Sequence, residues 1–276
     1  MNTSGELDAL AELSHKTEVN DMKQRIVTGL IAAAVFVTAT ILGGYVFSTL
    51  IVLMSVVGLY EYSRMNKLKF SSPLHLISLF GLLALVIPFE QYQIAFVDET
   101  VVTWLLLFAL LSWTVFSKNS YTLDQAGLAF IGTIYVGYGF SAMIDTRMIE
   151  DTGLIWCLLA FCSIWASDIG AYFVGRAFGR RKLCPLISPN KTIEGAIGGV
   201  LSSIVIAAVL SFIFVDVFEI WRALLIGLVA AVAGQLGDLI QSAYKRVRGL
   251  KILVSCFQVM VVFWIAVTAG LLYSLS

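Results

Sequence analysis

Three acidic side chains lie in or beside long apolar runs, and they are the residues best placed to do chemistry. Asp168 lies in the run 153–174, Asp238 in the run 220–242, and Glu194 at the start of a run that begins at residue 193. Because hydrocarbon solvates charge poorly, an ionisable side chain at such a place marks a candidate functional site. Both aspartates are predicted roughly 10 Å below one membrane face, at a rise of about 1.5 Å per residue.

These positions predict that the three carboxylates converge at one depth. Left alone, they would repel one another and lose their hydration. A divalent cation would relieve both costs, and hard carboxylate oxygens suit magnesium. The sequence therefore favours a magnesium site built by side chains from separate helices.

The loop between the first two acidic positions adds a rim of positive charge. Its cationic candidates for holding a phosphate-rich ligand are Arg176, Arg180, Arg181, Lys182 and Lys191. Such side chains stabilise phosphoryl groups, and Thr192 is placed to cap the helix that follows. Two alternatives stay open at this point: the loop is only a topology signal, or Asp168 simply pairs with Arg176.

The elements that must position these residues are membrane spans. Of the 276 residues, 59% are hydrophobic and 13% charged, and the mean hydropathy of +0.91 indicates an all-α polytopic membrane protein. At roughly 20 residues per span, about nine spans are expected. They lie near residues 27–43, 45–62, 73–89, 101–117, 126–144, 153–174, 193–215, 220–242 and 252–275.

Charge sets the expected orientation. Lys and Arg are concentrated on alternate loops, whereas the intervening loops are acidic, as the positive-inside rule requires. The N terminus and the basic loops, with the candidate site, are therefore predicted on the cytoplasmic side of the membrane. The formal net charge of +0 gives no indication of a nucleic-acid partner.

Three stretches resemble the bacterial phosphatidate cytidylyltransferases, also called CDP-diacylglycerol synthases. They are MKQRIVTG at 22–29, SDIGAYFVGRAFGRRKLCPLISPNKTIEGAIGG at 167–199 and GQLGDLIQSAYKR at 234–246. The resemblance spans residues 22–251 and implies a membrane-lipid enzyme. It implies the reaction of CTP with phosphatidate to give CDP-diacylglycerol and pyrophosphate, and a homodimer.

The resemblance also implies roles for individual residues. Asp238 is implied to be a metal ligand, for magnesium, with a second, monovalent cation left open. Asp168, Lys191 and Glu194 are implied to belong to the polar cavity of the family. Ser242, Lys245 and Arg246 begin the family signature that continues beyond Asp238, and they complete the catalytic set.

After Lys251 the chain departs from the family pattern. The family continues roughly as GxKDxxxxxPGHGGxxDRxDS, whereas residues 252–276 read ILVSCFQVMVVFWIAVTAGLLYSLS. Residues 252–266 can be back-translated to codons that, with one guanine base added in front, encode DFGKLLPGHGGVLDR in the shifted reading frame. In the same frame, the codons of Thr268 and Ala269 permit the Asp and Ser of DRxDS. We therefore hypothesise a single-base frameshift just after Lys251, natural or from a sequencing error.

The shifted tail would remove a ligand. By the resemblance, Ile265 takes the place of the family's second metal-binding aspartate, so the printed chain is expected to be inactive or nearly so. We divide the chain into a polar N-terminal extension at 1–21, a membrane domain at 22–251 and an atypical tail at 252–276. Met22 is an alternative start of translation.

Two rival functions stay open from the residues. One is a CTP-dependent polyprenol or phytol kinase, which shares related chemistry. The other is a transporter whose broken helices bind an anionic solute, although no paired interrupted spans are evident in two halves of the chain. The SPNKTIEG stretch and the position of Asp238 favour the cytidylyltransferase.

Overall fold

The computed structural model describes residues 27, 31–92, 94 and 98–248. The chain divides into two compact units, residues 1–42 and 43–276. In the first unit, the described residues form helix α1, Ile31–Leu42. In that helix the Thr40 hydroxyl donates to the carbonyl of Phe36 at 2.8 Å, which satisfies a polar group within an apolar segment.

The second unit contains the other helices. They are α2 (Gly44–Met65), α3 (Pro73–Val86), a short 3₁₀ turn (Phe89–Tyr92), α4 (Glu99–Phe116), α5 (Leu123–Met148), α6 (Gly153–Phe178), α7 (Ile193–Ile213) and α8 (Ile220–Arg248). By length and composition, six are able to cross a membrane: α2, α4, α5, α6, α7 and the part of α8 at Ile220–Ala243. Helices α1 and α3 are apolar but shorter.

The predicted all-α membrane fold is confirmed. Each of the first eight predicted spans coincides with a helix. The ninth, at 252–275, lies outside the described residues, so the number nine stays a prediction. The polar extension at 1–21, the alternative start at Met22 and the atypical tail lie outside them as well.

Local side chains define where several helices begin. Thr122 and Gln125 form a reciprocal capping box at the start of α5, and Ser72 precedes Pro73 at the start of α3. Thr192 accepts a hydrogen bond from the Gly195 amide at 3.1 Å, which confirms its predicted role as the cap of α7. This last cap fixes the start of α7 beside the candidate site.

Two apolar clusters hold the second unit together. Trp156 and Leu159 of α6 pack with Ala207 of α7 and with Ile226 and Ala230 of α8. Leu74 of α3, Leu110 of α4 and Ala129 of α5 form the other cluster. Many large apolar side chains outside these clusters are exposed on the helices, as expected for surfaces that face lipid.

Small residues let α6 and α7 approach closely. A Cβ atom on Gly198 would lie 2.5 Å from Cβ of Val174, and one on Gly195 would lie 2.8 Å from the Ala171 carbonyl oxygen. Contacts this short do not occur between real Cβ atoms and their neighbours, so the backbones can pack as they do only with glycine at these places.

A small β-hairpin joins α6 to α7, which the sequence did not predict. Strand β1 (Lys182–Cys184) pairs antiparallel with β2 (Ser188–Thr192), with Lys182 opposite Thr192 and a bulge before Cys184 pairs with Ser188. Pro189 is tolerated because a two-stranded ribbon leaves one side of each strand unpaired. The hairpin returns the chain directly to the first residue of α7.

Candidate functional site

A cavity of about 480 Å³ lies where α6, the hairpin, α7 and α8 meet. This volume is within the usual range for small-molecule sites. Its wall combines charged, polar and small residues: Asp168, Ala171, Tyr172, Gly175, Arg176, Leu183, Asn190, Lys191, Thr192, Gly195, Ala196, Gln235 and Asp238. The cavity therefore brings together parts of the chain that are up to 70 positions apart.

An ion pair crosses this cavity. Nζ of Lys191 donates to Oδ2 of Asp238 at 3.1 Å, and the two side chains are 30% and 28% exposed. Lys191 stands in β2, one residue before the cap of α7, so the hairpin delivers the ammonium group to the aspartate of α8. A partly exposed pair of this kind is accessible to an incoming anion.

Asp168 faces the same cavity from α6. It lies within electrostatic range of both Asp238 and Lys191. Asp168 and Asp238 both line this cavity, which is consistent with the predicted similarity of their depths. The alternative pairing of Asp168 with Arg176 is not formed, because Arg176 instead donates from Nη1 to the Tyr172 hydroxyl at 3.2 Å.

The predicted convergence of three carboxylates is wrong for the described residues. They contain no group of three acidic, His or Cys side chains able to hold a metal. Oε2 of Glu194 accepts the amide N–H of Arg180 at 3.0 Å, and its carboxylate also accepts the amide of Arg181 at 3.2 Å. These two amides lie just past the end of α6, and the carboxylate of Glu194 accepts both of them.

The five cationic candidates separate into two groups. Arg176 and Lys191 line the cavity, whereas the exposed Arg180, Arg181 and Lys182 do not. Arg180 and Arg181 take part through their backbone amides, which Glu194 holds. Ligand binding by their side chains stays a prediction.

The last part of α8 carries the remaining catalytic candidates. The hydroxyl of Ser242 donates to the carbonyl of Asp238 at 2.8 Å, one helical turn earlier. Arg246 is exposed a turn further on, and Lys245 belongs to the same helix, with its side chain outside the described atoms. All three lie on one helix with Asp238, and their roles stay predictions.

Three residues that sequence reasoning missed also line the cavity. Nε2 of Gln235 donates to the Ala196 carbonyl at 3.0 Å and so ties α8 to α7. Tyr172 of α6 lines the cavity, as does Asn190 from the hairpin. A polar Gln235 three positions before Asp238 in an apolar run was a signal that could have identified it.

The carboxylates of Asp168 and Asp238 fit a magnesium ion whose other ligands are substrate phosphate oxygens and water. Magnesium in proteins commonly takes one or two carboxylates and completes its shell with phosphate oxygens and water. Asp168 forms no hydrogen bond within the described part of the chain, and Asp238 shares one oxygen with Lys191. Two carboxylates with available oxygens therefore face the same cavity.

Sequence comparison with known proteins identifies the family to which the chain belongs. A model described as "Cytidylyltransferase family" matches residues 23–271, which extends past Lys251 into the tail. A phosphatidate cytidylyltransferase of Bacillus subtilis (strain 168) is 42% identical over 229 residues, covering 82% of this chain and 85% of that protein. A phosphatidate cytidylyltransferase of Staphylococcus aureus (strain COL) is 37% identical over 231 residues, covering 83% and 87%. With these matches over most of its length, the chain belongs to the cytidylyltransferase family of membrane nucleotidyltransferases.

Proposed function

We propose that this chain transfers the cytidylyl group of CTP to phosphatidate, which makes CDP-diacylglycerol and pyrophosphate for phospholipid synthesis. A phosphatidate oxygen attacks the α-phosphorus of CTP, and the bond from that phosphorus to the bridging oxygen of the β-phosphate breaks. The names of the curated relatives support this assignment of substrates. Family membership also argues against the polyprenol kinase and the anion transporter.

The observation that carries the proposal is the shared cavity of Lys191, Asp238 and Asp168. Transfer of a phosphoryl-type group requires little covalent chemistry from a protein, since positioning and charge neutralisation supply most of the catalysis. The ammonium group of Lys191 can leave the carboxylate of Asp238 and bind a substrate phosphate instead, because both side chains are accessible from the cavity. Arg176 supplies a second cation on the same wall.

We assign magnesium to Asp238 and Asp168. When bound, it would neutralise charge on the phosphates during the transfer. In its absence the two carboxylates would repel an approaching triphosphate, so these side chains need the cation before they can help binding. A second, monovalent cation stays a proposal without further support from the described residues.

The remaining features of the proposal concern the setting of the enzyme. The apolar helices support a multi-pass protein of the bacterial inner membrane, where phosphatidate resides. We place the cavity on the cytoplasmic face, where CTP is available, and we propose a homodimer. Cysteine labelling of intact cells tests the orientation: a cysteine introduced at exposed Leu186 in the hairpin should react only after the cells are opened.

The experiment that tests the function supplies membranes with labelled CTP and phosphatidate. Membranes carrying the printed chain and membranes carrying a version with its reading frame restored after Lys251 should be assayed together. We expect cytidine-labelled lipid, with the higher rate from the restored version, and loss of both signals when magnesium is chelated. Labelled phosphate on a polyprenol, or solute uptake without labelled lipid, would overturn the proposal.

A further inference from the structure

The link between α2 and α3 separates two further cavities. One is about 260 Å³ and the other about 280 Å³, and both are lined by Lys67, Leu68 and Lys69. They share no lining residue with the candidate active site. The second also touches Ser120 and Tyr121 of the α4–α5 link, so the ends of four helices surround these lysines.

Both cavities carry unbalanced positive charge. Arg64 joins Lys67 and Lys69 in the first cavity, and within the described residues no carboxylate lines either one. The three side chains are exposed, and none forms an ion pair in the described part of the chain. Their positive charges are therefore available to a ligand.

The backbone places Lys67 in an unusual conformation. Its φ of 58° lies in the left-handed region, which a residue with a Cβ rarely adopts. The amide of Lys67 donates to the Arg64 carbonyl at 3.1 Å, and that of Leu68 donates to the Ser63 carbonyl at 2.9 Å, which fixes this turn at the end of α2. This is the Schellman arrangement with which many helices end, and it positions Lys67 directly after the C-cap residue Asn66.

An apolar wall stands beside the charges. The ring of Phe70 lies 5.7 Å from that of Tyr60 and 5.0 Å from that of His75. The buried His75 is held through Nδ1, which lies 2.8 Å from Oγ of Ser63. Phe70 and Tyr60 are exposed next to the cations, as aromatic residues are where a membrane meets water.

We propose that Lys67 and Lys69 bind the phosphate group of an anionic phospholipid, with Phe70 and Tyr60 against its glycerol and first acyl carbons. Basic pockets between membrane helices bind anionic head groups in this way. The positive-inside rule accounts for basic residues in this loop, but it does not require cavities on both sides of two unpaired lysines. A free phosphate would offer the same chemistry, so the test must separate the two sources.

The test uses the purified full chain in detergent, native mass spectrometry, and phosphatidylglycerol or phosphatidylcholine as the added lipid. The double variant Lys67→Gln/Lys69→Gln removes two charges and keeps apolar stems. It should weaken phosphatidylglycerol binding roughly 30-fold and leave phosphatidylcholine binding unchanged. Lys118→Gln is the matched control, since Lys118 is an exposed cation in the α4–α5 link that lines neither cavity.

Two further measurements show whether the site binds a lipid or any phosphate, and whether it is separate from the candidate active site. Inorganic phosphate that displaces phosphatidylglycerol in a Lys67-dependent manner supports a site for any phosphate, whereas a failure to compete supports a lipid site. Asp238→Asn should retain phosphatidylglycerol binding, because Asp238 lies in the other cavity. Full binding by the folded double variant, or an equal loss in Lys118→Gln or Asp238→Asn, would overturn the proposal.

Discussion

At the scale of single residues, the site depends on which charges meet. Lys191 and Asp238 lie 47 positions apart and form a direct contact, whereas Glu194, only three positions from Lys191, turns to backbone amides. The sequence identified all three as functional candidates: Lys191 as a cation for phosphate, Asp238 as a metal ligand and Glu194 as part of the polar cavity. The structure divides these candidates between ligand binding and loop positioning.

Replacing the aspartate of the ion pair should remove most of the activity. Asp238→Asn keeps the shape of the side chain but loses the charge that pairs with Lys191 and would bind magnesium. In membranes that carry the chain with its reading frame restored after Lys251, cytidylyltransferase turnover should fall by roughly 100-fold, the usual effect of removing one electrostatic group from such a site. The control is Asp216→Asn, an exposed aspartate between α7 and α8; equal losses in both variants would contradict the assignment.

Replacing the loop-holding glutamate should affect substrate binding more than turnover. Glu194→Gln removes the negative charge and one of the two oxygens that now accept the Arg180 and Arg181 amides. In the frame-restored chain, loss of this charge-assisted hydrogen bonding should raise the KM for CTP roughly tenfold. The kcat should change less.

Glu219→Gln is the matched control for this prediction. Glu219 also accepts a local hydrogen bond, from Nε1 of Trp221 at 2.6 Å, and pairs with Arg222 at 3.2 Å, but it lies before α8 and outside the cavity. Its KM for CTP should match that of the unmodified chain. If Glu194→Gln instead abolished kcat at an unchanged KM, Glu194 would act in the chemistry and not in positioning.

At the scale of elements, the contact of α6 with α7 holds the cavity in shape. Asp168 and Tyr172 reach the cavity from α6, while Thr192, Gly195 and Ala196 reach it from the cap and first turn of α7. Any change that separates these helices moves both walls of the site. Glycine at the crossing is therefore a structural requirement of the site, although it contacts no ligand.

A single methyl group at the crossing should destabilise the protein. Gly198→Ala places a Cβ atom 2.5 Å from Cβ of Val174, whose branched side chain has few alternative rotamers. We expect a loss of about 1–3 kcal/mol from overpacking and a lower Tm of the purified protein in detergent. The added change Val174→Ala should recover part of this loss.

Gly127→Ala in α5 is the matched control for Gly198→Ala. A Cβ atom on Gly127 would meet no atom within 4 Å, so Gly127→Ala should gain helix propensity without a clash. Its Tm should stay constant or rise, by the equivalent of at most about 1 kcal/mol. An equal decrease of Tm in both variants would mean that the crossing does not require glycine at position 198.

At the scale of the whole molecule, activity requires both the helices that form the cavity and the C-terminal segment 252–276. The described helices supply Lys191, Asp168 and Asp238, but residues 252–276 differ from the pattern of the resembled family. In the frameshift hypothesis, Ile265 stands where the second metal-binding aspartate belongs. The activity of the printed chain then depends on a segment outside the described residues.

Restoring the reading frame should therefore raise the activity. One base inserted in the gene after the codon of Lys251 would recreate the family signature, and a recovered metal ligand should increase turnover by roughly 100-fold or more. The control is the same insertion with asparagine in place of the restored aspartate. Equal turnover of the printed and restored chains, or a resequenced gene that encodes residues 252–276 as printed in an active enzyme, would refute the hypothesis.

The sequence by itself determined the membrane class, the position of eight helices and the identity of the candidate residues. Apolar runs of sufficient length have few alternatives in a bilayer, since backbone groups there must be satisfied within a helix. Charged residues inside such runs are costly, so their presence alone marked Asp168 and Asp238. Helix caps such as Thr192 were also readable, because capping depends on neighbours in the chain.

Only the tertiary structure decided which charges face one another. The hairpin directs Lys191 to Asp238, and Glu194 accepts the amides of Arg180 and Arg181 after α6, so two carboxylates and not three line the cavity. The positions of Gln235 and Tyr172 in the wall follow from how α6, α7 and α8 pack. Such contacts join residues distant in the chain, and hydrophobic periodicity contains no information about the partner that a polar side chain will find.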